Sequence, residues 1–423
     1  MRKVGICVGV IAMMLLGCGN DNKRGQGSSD AGWDLGTPGE GDDTGPAIPG
    51  HDAVIIPPGT SGVVTLMDAR EVQLQDGVSE VVDFVVPPGT VAVTVTVEGT
   101  HWGEMYALES WTGPEGSVLV QENWPEDEPN QLAALGMPTT ICHTLCSNRI
   151  AASEAAFAAI APNNPEATVV AGAHQLTVYG IHMGQTSIDL SNSNAFVTIH
   201  AKILDAEPQT GILDLNLHFT GSNGWTAQSA QQDPVFAALM DGVDEIYSQI
   251  GIEIGEVAWL DADTRFQVIE TIQGENSDLM ELFSQTPSGA LNAVNLFFVE
   301  EIKTPPEAAI FGGGTILGIA GGIPGPVIVP GTGRSGVAVG TVLVEGGPQL
   351  HQVVAHELGH YLGLFHTTEN LGGFIGPAHD PLPDTPEGDE SYLMHASGAG
   401  DTLSPWQGKV MRQNPWVRHQ EAE

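Results

Sequence analysis

Apolar and polar positions change texture three times along the chain. Val4 to Leu16 is an apolar run behind the basic Met1-Arg2-Lys3. At about 13 residues it is too short to span a bilayer as a helix and matches a signal-peptide core. Residues 19–53 reverse the balance. Gly, Ser, Asp and Pro dominate there and apolar side chains are too sparse for a core, which predicts a disordered tether over 18–53. From Val54 short apolar runs return, with turn residues between them. Val91, Val93, Val95 and Val97 alternate with Ala92, Thr94, Thr96 and Glu98, the period of a strand with one buried face. Runs of the same kind in SVLVQE, HQLTVYGI, TSIDLSN and FVTIHAKIL predict further antiparallel strands. Residues 54–205 therefore read as an all-β sandwich, with one short helix expected in the Ala-rich stretch Ile150 to Ile160.

The pattern shifts again near Pro208, and 206–423 reads as a second domain. ILDLNLHFTG predicts a strand. Over Pro234 to Ile250 the apolar positions Phe236, Leu239, Met240, Val243, Ile246, Tyr247 and Ile250 fall on one helical stripe, with Asp233 as N-cap and Pro234 at the first helical position. IEIGEVAWL and VNLFFVEEI predict strands. A Gly- and Pro-rich stretch, 311–340, holds one more in GVAVGTVLV, and a helix begins near Gln349. This order predicts an α/β domain with a mixed sheet. A length of 423 residues suits two domains, and 41% hydrophobic residues suffice for two cores.

Charge narrows the partners. Fifty-two acidic residues against 13 basic ones give a formal net charge of −39. Nucleic acid and anionic lipid surfaces would repel such a chain. The first apolar run ends in Leu15-Leu16-Gly17-Cys18, which resembles the lipobox of bacterial lipoproteins. That resemblance implies cleavage after residue 17, lipidation of Cys18, and export to the outer membrane or cell surface, with the membrane met only through the anchor. With Cys7 in the leader, Cys142 and Cys146 remain, and an oxidising compartment makes a local disulfide the default.

The chemistry lies in residues 356–366, HELGHYLGLFH. His356 and His360, four apart on a helix, sit on one face with Cβ atoms about 5–6 Å apart, so both can reach one metal ion. His366 would lie about 15 Å along the axis from His356 if the helix continued. The helix must stop and the chain must double back, and Gly363 supplies the left-handed turn. Three neutral histidines leave zinc a fourth, open position. Glu357 is placed to act as general base on water there.

The HExxHxxGxxH pattern resembles the metzincin metallopeptidases. That likeness implies a zinc-dependent metalloendopeptidase on an α/β metzincin-like fold, with an active-site helix and a methionine turn beneath the metal. Met394 in Ser391-Tyr392-Leu393-Met394-His395-Ala396 fits that turn. Asp384-Thr385-Pro386, LSPWQGKVMRQNP at 403–415 and GGIPGP at 321–326 are similar to the pappalysin/cytophagalysin-like branch, over roughly 208–418. Two features depart from the pattern. Ala396 stands where some metzincins carry a tyrosine ligand, and no cysteine follows Cys146. His379, Asp380, Asp384, Asp389 and Glu390 form either a Ca2+ site, through Asp380, Asp384 and Asp389, or a solvated acidic loop. The sequence predicts one catalytic Zn2+ and a protein or peptide substrate. The competing reading is a surface adhesion or binding lipoprotein with a latent or vestigial peptidase domain.

Overall fold

The alternating stretch at 90–99 lies inside the larger of two main sheets. In a computed structural model of the chain, the residues described are 62–100, 104–120, 153–183, 188–274, 276–285, 290, 292–303, 316–329, 331–343, 347–370 and 377–419. The expected leader, the tether with Cys18, and the Cys142–Cys146 pair lie outside them.

The first sheet has eleven strands: β1 (Gly62–Gln75), β2 (Val78–Ser79), β3 (Val82–Val86), β4 (Thr90–Gly99), β5 (Glu104–Thr112), β6 (Val118–Val120), β7 (Ser153–Glu154), β8 (Ala156–Ala161), β9 (Gly172–Met183), β10 (Ile188–Leu190) and β11 (Asn194–Ile203). Its order is β6-β5-β9-β2-β1-β11-β4-β8, with antiparallel pairing throughout. β1 joins what would otherwise be two sheets. Its body pairs with β11 and its end with β2, and register shifts between Thr65 and Arg70 bend it. At the other side β7 pairs with β5 while β8, one residue on, pairs with β4, so the sheet nearly closes on itself. Val93, Val95, Val97, Leu74, Phe84, Trp111, Phe157 and Ile199 fill its interior.

The second half runs β12 (Gly211–Phe219), α1 (Ala227–Ala230), α2 (Pro234–Ser248), β13 (Ile252–Asp261), β14 (Val268–Ile269), α3 (Asp278–Phe283), β15 (Val294–Val299), β16 (Glu301–Ile302), β17 (Gly318–Ala320), β18 (Val337–Gly340), α4 (Leu350–Tyr361), β19 (Thr368–Asn370), β20 (Pro377–His379), α5 (Pro405–Gln413) and β21 (Val417–Arg418). The central order is β13-β12-β15-β18-β17 with β21 on β12. Its first three pairings are parallel, and those of β17 and β21 are antiparallel. α2 starts as the sequence predicts, with Asp233 accepting from the Val235 and Phe236 amides. It packs on the sheet beside α4 in one core with Phe219, Val243, Tyr247, Leu296, Leu358 and Met394. Phe266, Leu282, Phe283 and Phe297 fill the opposite side.

The expected fold class is corrected by this architecture. The chain is mostly β. One continuous, nearly closed antiparallel sheet replaces the sandwich. Among the described residues five helices occur, only α2 and α4 exceeding nine residues, so the C-terminal half is not the α/β metzincin-like domain expected. Alternation reports one buried face per strand, and two facing sheets bury the same positions as one sheet curled on itself. The helix expected within Ile150 to Ile160 is corrected as well. Its described part is strand, and Ala156 to Ala161 are all buried. Pairing with β4 outweighs alanine's helix preference. The face of β4 expected to meet solvent is also covered. Ala92, Thr94 and Thr96 are buried, and Thr96 Oγ1 accepts from the Val327 amide of the second half at 3.4 Å.

Candidate metal centre

α4 carries the first two histidines. Gln352 Oε1 accepts from the Gln349 amide at 2.8 Å at its start, and Val353 to Tyr361 are buried. One helical turn apart, the rings of His356 and His360 lie 4.7 Å apart between centroids. The helix stops where the spacing requires. Gly363 takes φ +111°, its amide donates to His360 O, and the Leu364 amide donates to Gly359 O. The reversal brings the His366 ring within 5.1 Å of His356 and 4.7 Å of His360. His366 Nε2 stands 3.1 Å from the Nε2 of each of the other two. The three are buried and close enough to hold one metal ion.

The polar contacts around the rings decide whether a cation fits. His356 Nδ1 lies 2.6 Å from Leu393 O, and His360 Nδ1 lies 2.7 Å from Leu364 O. A carbonyl only accepts, so each Nδ1 carries the proton and each Nε2 keeps its lone pair. Two lone pairs then face His366 Nε2 at hydrogen-bond distance. A proton there could serve one of them well, whereas a cation at the centre serves all three nitrogens. Four-coordinate zinc with Zn–N of about 2.0–2.1 Å wants its ligand nitrogens roughly 3.3 Å apart, close to the spacing found. Burial, with the neighbouring His366 ring adding to it, pushes His356 down to about 3, so its imidazole is neutral as a ligand must be.

Glu357 is fully buried beside the triad. Neither carboxylate oxygen makes a well-formed hydrogen bond. Burial pushes its carboxyl well above the ordinary range, and the Ala320 backbone amide partly offsets the rise. β17 forms the wall here. A Cβ on Gly318 would stand 2.5 Å from Glu357 Cγ, so only glycine lets the strand pass this close. Met394 is fully buried under α4. Its Sδ would lie 2.7 Å from a Cβ at Gly359, and its carbonyl accepts from the Thr367 amide at 2.8 Å.

The acidic residues are not gathered with the triad. Asp380 accepts from the Leu382 amide at 3.2 Å and from Thr385 Oγ1 at 2.5 Å. Asp384 accepts from Ser404 Oγ at 2.8 Å and the Trp406 amide at 3.0 Å, holding the start of α5. Asp389 closes a local turn through the Ser391 amide at 3.0 Å and Ser391 Oγ at 2.7 Å. Among the described residues the histidine triad alone forms a group that could hold a metal. Sequence reasoning missed Leu393 O, Leu364 O, Gly318 and Ala320. Backbone groups can come from any residue type, so no sequence signal marks the first two. Gly318 sits in the Gly-rich stretch, its purpose invisible until α4 lies against it.

No protein-family model matches the chain, and no curated protein matches it. Among solved structures it is similar to metalloproteinase-II from Bacteroides fragilis, at 12% identity over 52% of this chain and 63% of that one, with a TM-score of 0.26. A chaperone–substrate complex is similar at 12% identity over 57% and 39%, with a TM-score of 0.27. A family two carbohydrate esterase from Clostridium thermocellum in complex with cellohexaose follows at 9% identity over 59% and 81%, with a TM-score of 0.15. The chain spans less than two thirds of the first two. Likenesses this distant assign neither fold nor activity.

Proposed function

We propose that this protein is an exported, lipid-anchored zinc metalloendopeptidase that cleaves extracellular or envelope proteins. His356, His360 and His366 are the metal ligands and Glu357 is the general base. The observation that carries the reading is the convergence of three imidazole nitrogens beside a buried, solvent-stripped carboxylate. Three neutral nitrogens suit tetrahedral zinc, whereas calcium takes six to eight oxygens. Zinc held there would polarise the scissile carbonyl and lower the pKa of water.

The rest is done by the chain itself. A Glu357 carboxylate oxygen accepts the proton of the attacking water and returns it to the leaving amine nitrogen. Burial alone raises Glu357, and a cation held by the triad would favour the carboxylate form that accepts the proton. Gly318 keeps a β-carbon out of the space that Glu357 fills, and the Leu393 and Leu364 carbonyls hold the two helical imidazoles in register. The likeness to metzincins lies in the motif and Met394, not in the fold. In this proposal Cys18 carries the lipid and residues 18–53 the tether. The substrate is a protein or peptide, and the strong negative charge keeps nucleic acid away.

The test is metal analysis with proteolysis on the chain lacking residues 1–18, using a quenched peptide library with and without a chelator. About one zinc per chain and chelator-sensitive cleavage are expected. Glu357→Ala should keep the zinc and lower kcat/KM by about 10²–10⁴. Undiminished cleavage by that variant refutes the mechanism. Zinc without cleavage favours the binding-lipoprotein reading, and a chain that binds no zinc sinks the proposal. For the anchor, Cys18→Ala should lose lipid labelling and leave the membrane fraction.

A further inference from the structure

Lys202 has no place in the proposed chemistry, yet it is among the most deeply buried charges in the molecule, 1% exposed. It sits on β11 of the first sheet, facing outward, and the second half covers it. Its Nζ donates to Arg412 O at 2.7 Å, Asn414 O at 2.9 Å and Val417 O at 2.5 Å. An ammonium has three donors, so these three carbonyls satisfy it completely. They belong to the C-terminal end of α5 and the turn that follows, where a cation is favoured by the exposed carbonyl ends.

That turn reaches the metal centre through one side chain. Asn414 is fully buried, and its Nδ2 donates to Leu362 O at 3.2 Å. Leu362 caps α4 and precedes Gly363, the residue at which the chain reverses between His360 and His366. The reversal is also wedged from both sides. A Cβ on Gly363 would lie 3.2 Å from Ile160 of β8 and 3.4 Å from Val410 of α5. The first sheet thus meets the hinge of the ligand set directly through Ile160 and indirectly through Lys202 and Asn414.

We infer that Lys202 is a positioning residue for the metal centre: by gripping the 412–417 turn it holds Asn414 on Leu362 and so fixes the reversal that returns His366 to the other two histidines. The first sheet is therefore part of the site's construction, not an appended module. The inference rests on the reading of the triad as a metal centre. It is independent of what the centre hydrolyses.

Zinc affinity separates positioning from mere stability. In the full chain, zinc binding is measured by competition with a chromophoric chelator, and thermal unfolding is followed beside it. Outer partners of metal ligands change affinity by about 10–100-fold, and a loss in that range is expected for Lys202→Met and for Asn414→Ala. Asn414→Ala keeps the backbone carbonyl that Lys202 grips, so it tests the link to Leu362 even if Lys202→Met does not fold. Val97→Ala, in the interior of the first sheet, should lower the unfolding temperature and leave zinc affinity unchanged. Wild-type affinity in Asn414→Ala overturns the inference, as does an equal loss of affinity in Val97→Ala. A wild-type chain that binds no zinc overturns the metal reading and this inference with it.

Discussion

At the scale of single residues, close approach and burial decide what the candidate site can do. Gly318 leaves no room for a methyl group beside Glu357. Gly318→Ala should displace the carboxylate, cost roughly 1–3 kcal/mol of stability, and lower kcat far more than zinc content, as turnover and metal analysis on one preparation will report. His218 is the residue-scale test of pH. It is fully buried, stacks on Phe297, and has Nε2 3.1 Å from Asn295 Oδ1. Burial pushes it down from 6.5 to about 4, with the Asn295 contact opposing. Between those values the unfolded chain binds a proton that folded His218 refuses, so stability is lost as pH falls through that window. The full loss is about 3 kcal/mol by the usual conversion. Urea midpoints of the metal-free protein measured from pH 7 to pH 4 should fall, and less steeply in His218→Gln. The same slope in both would assign the acid sensitivity to other groups.

At the scale of elements, the informative pieces are those whose ends are held by partners distant in sequence. α5 begins in a reciprocal cap. Ser404 Oγ accepts from the Gln407 amide at 3.1 Å, and Gln407 Oε1 accepts from the Ser404 amide at 2.9 Å. Ser404 Oγ also donates to Asp384, tying the helix to the acidic loop. Ser404→Ala should destabilise by about 1–2 kcal/mol, read from denaturant midpoints. Because α5 ends against Lys202, some loss of zinc affinity should accompany it. β8 makes the complementary point. Its alternate residues Phe157, Ala159 and Ala161 join the interior of the first sheet, while Ile160 meets the hinge at Gly363. Small side chains there let two layers come together, a role that composition alone disguised as helix.

At the scale of the whole molecule, charge and the joint between the two sheets dominate. A formal charge of −39 repels itself in the compact state. Raising ionic strength shortens the screening length from about 30 Å at 0.01 M to about 8 Å at 0.15 M. The unfolding temperature should rise over that range in a monovalent salt. A fall would mean that exposed ion pairs such as Arg265 with Glu281, 2.7 Å apart, outweigh the repulsion. Buried Arg334 with Glu154, 3.5 Å apart, Thr96 with Val327, and Lys202 with the 412–417 turn all cross between the two halves. Polar contacts at a covered joint favour one docking geometry over others, since each misplaced group would be left unsatisfied.

The amino-acid sequence by itself determined which three histidines come together and the need for a reversal between His360 and His366. Both follow from helix geometry, which is local. It likewise determined the start of α2, because caps and apolar stripes are short-range patterns. Only the tertiary structure decided that the first sheet curls nearly shut, that Ala156 to Ala161 form a strand, and that the polar face of β4 is buried. Each depends on what lies across from a residue, and periodicity reports only that something does. The carbonyls of Leu393 and Leu364, the wall at Gly318 and the grip of Lys202 belong to the same class. Backbone groups and buried partners more than 200 residues away leave no mark on local sequence, so the fold alone could assemble them around the histidines.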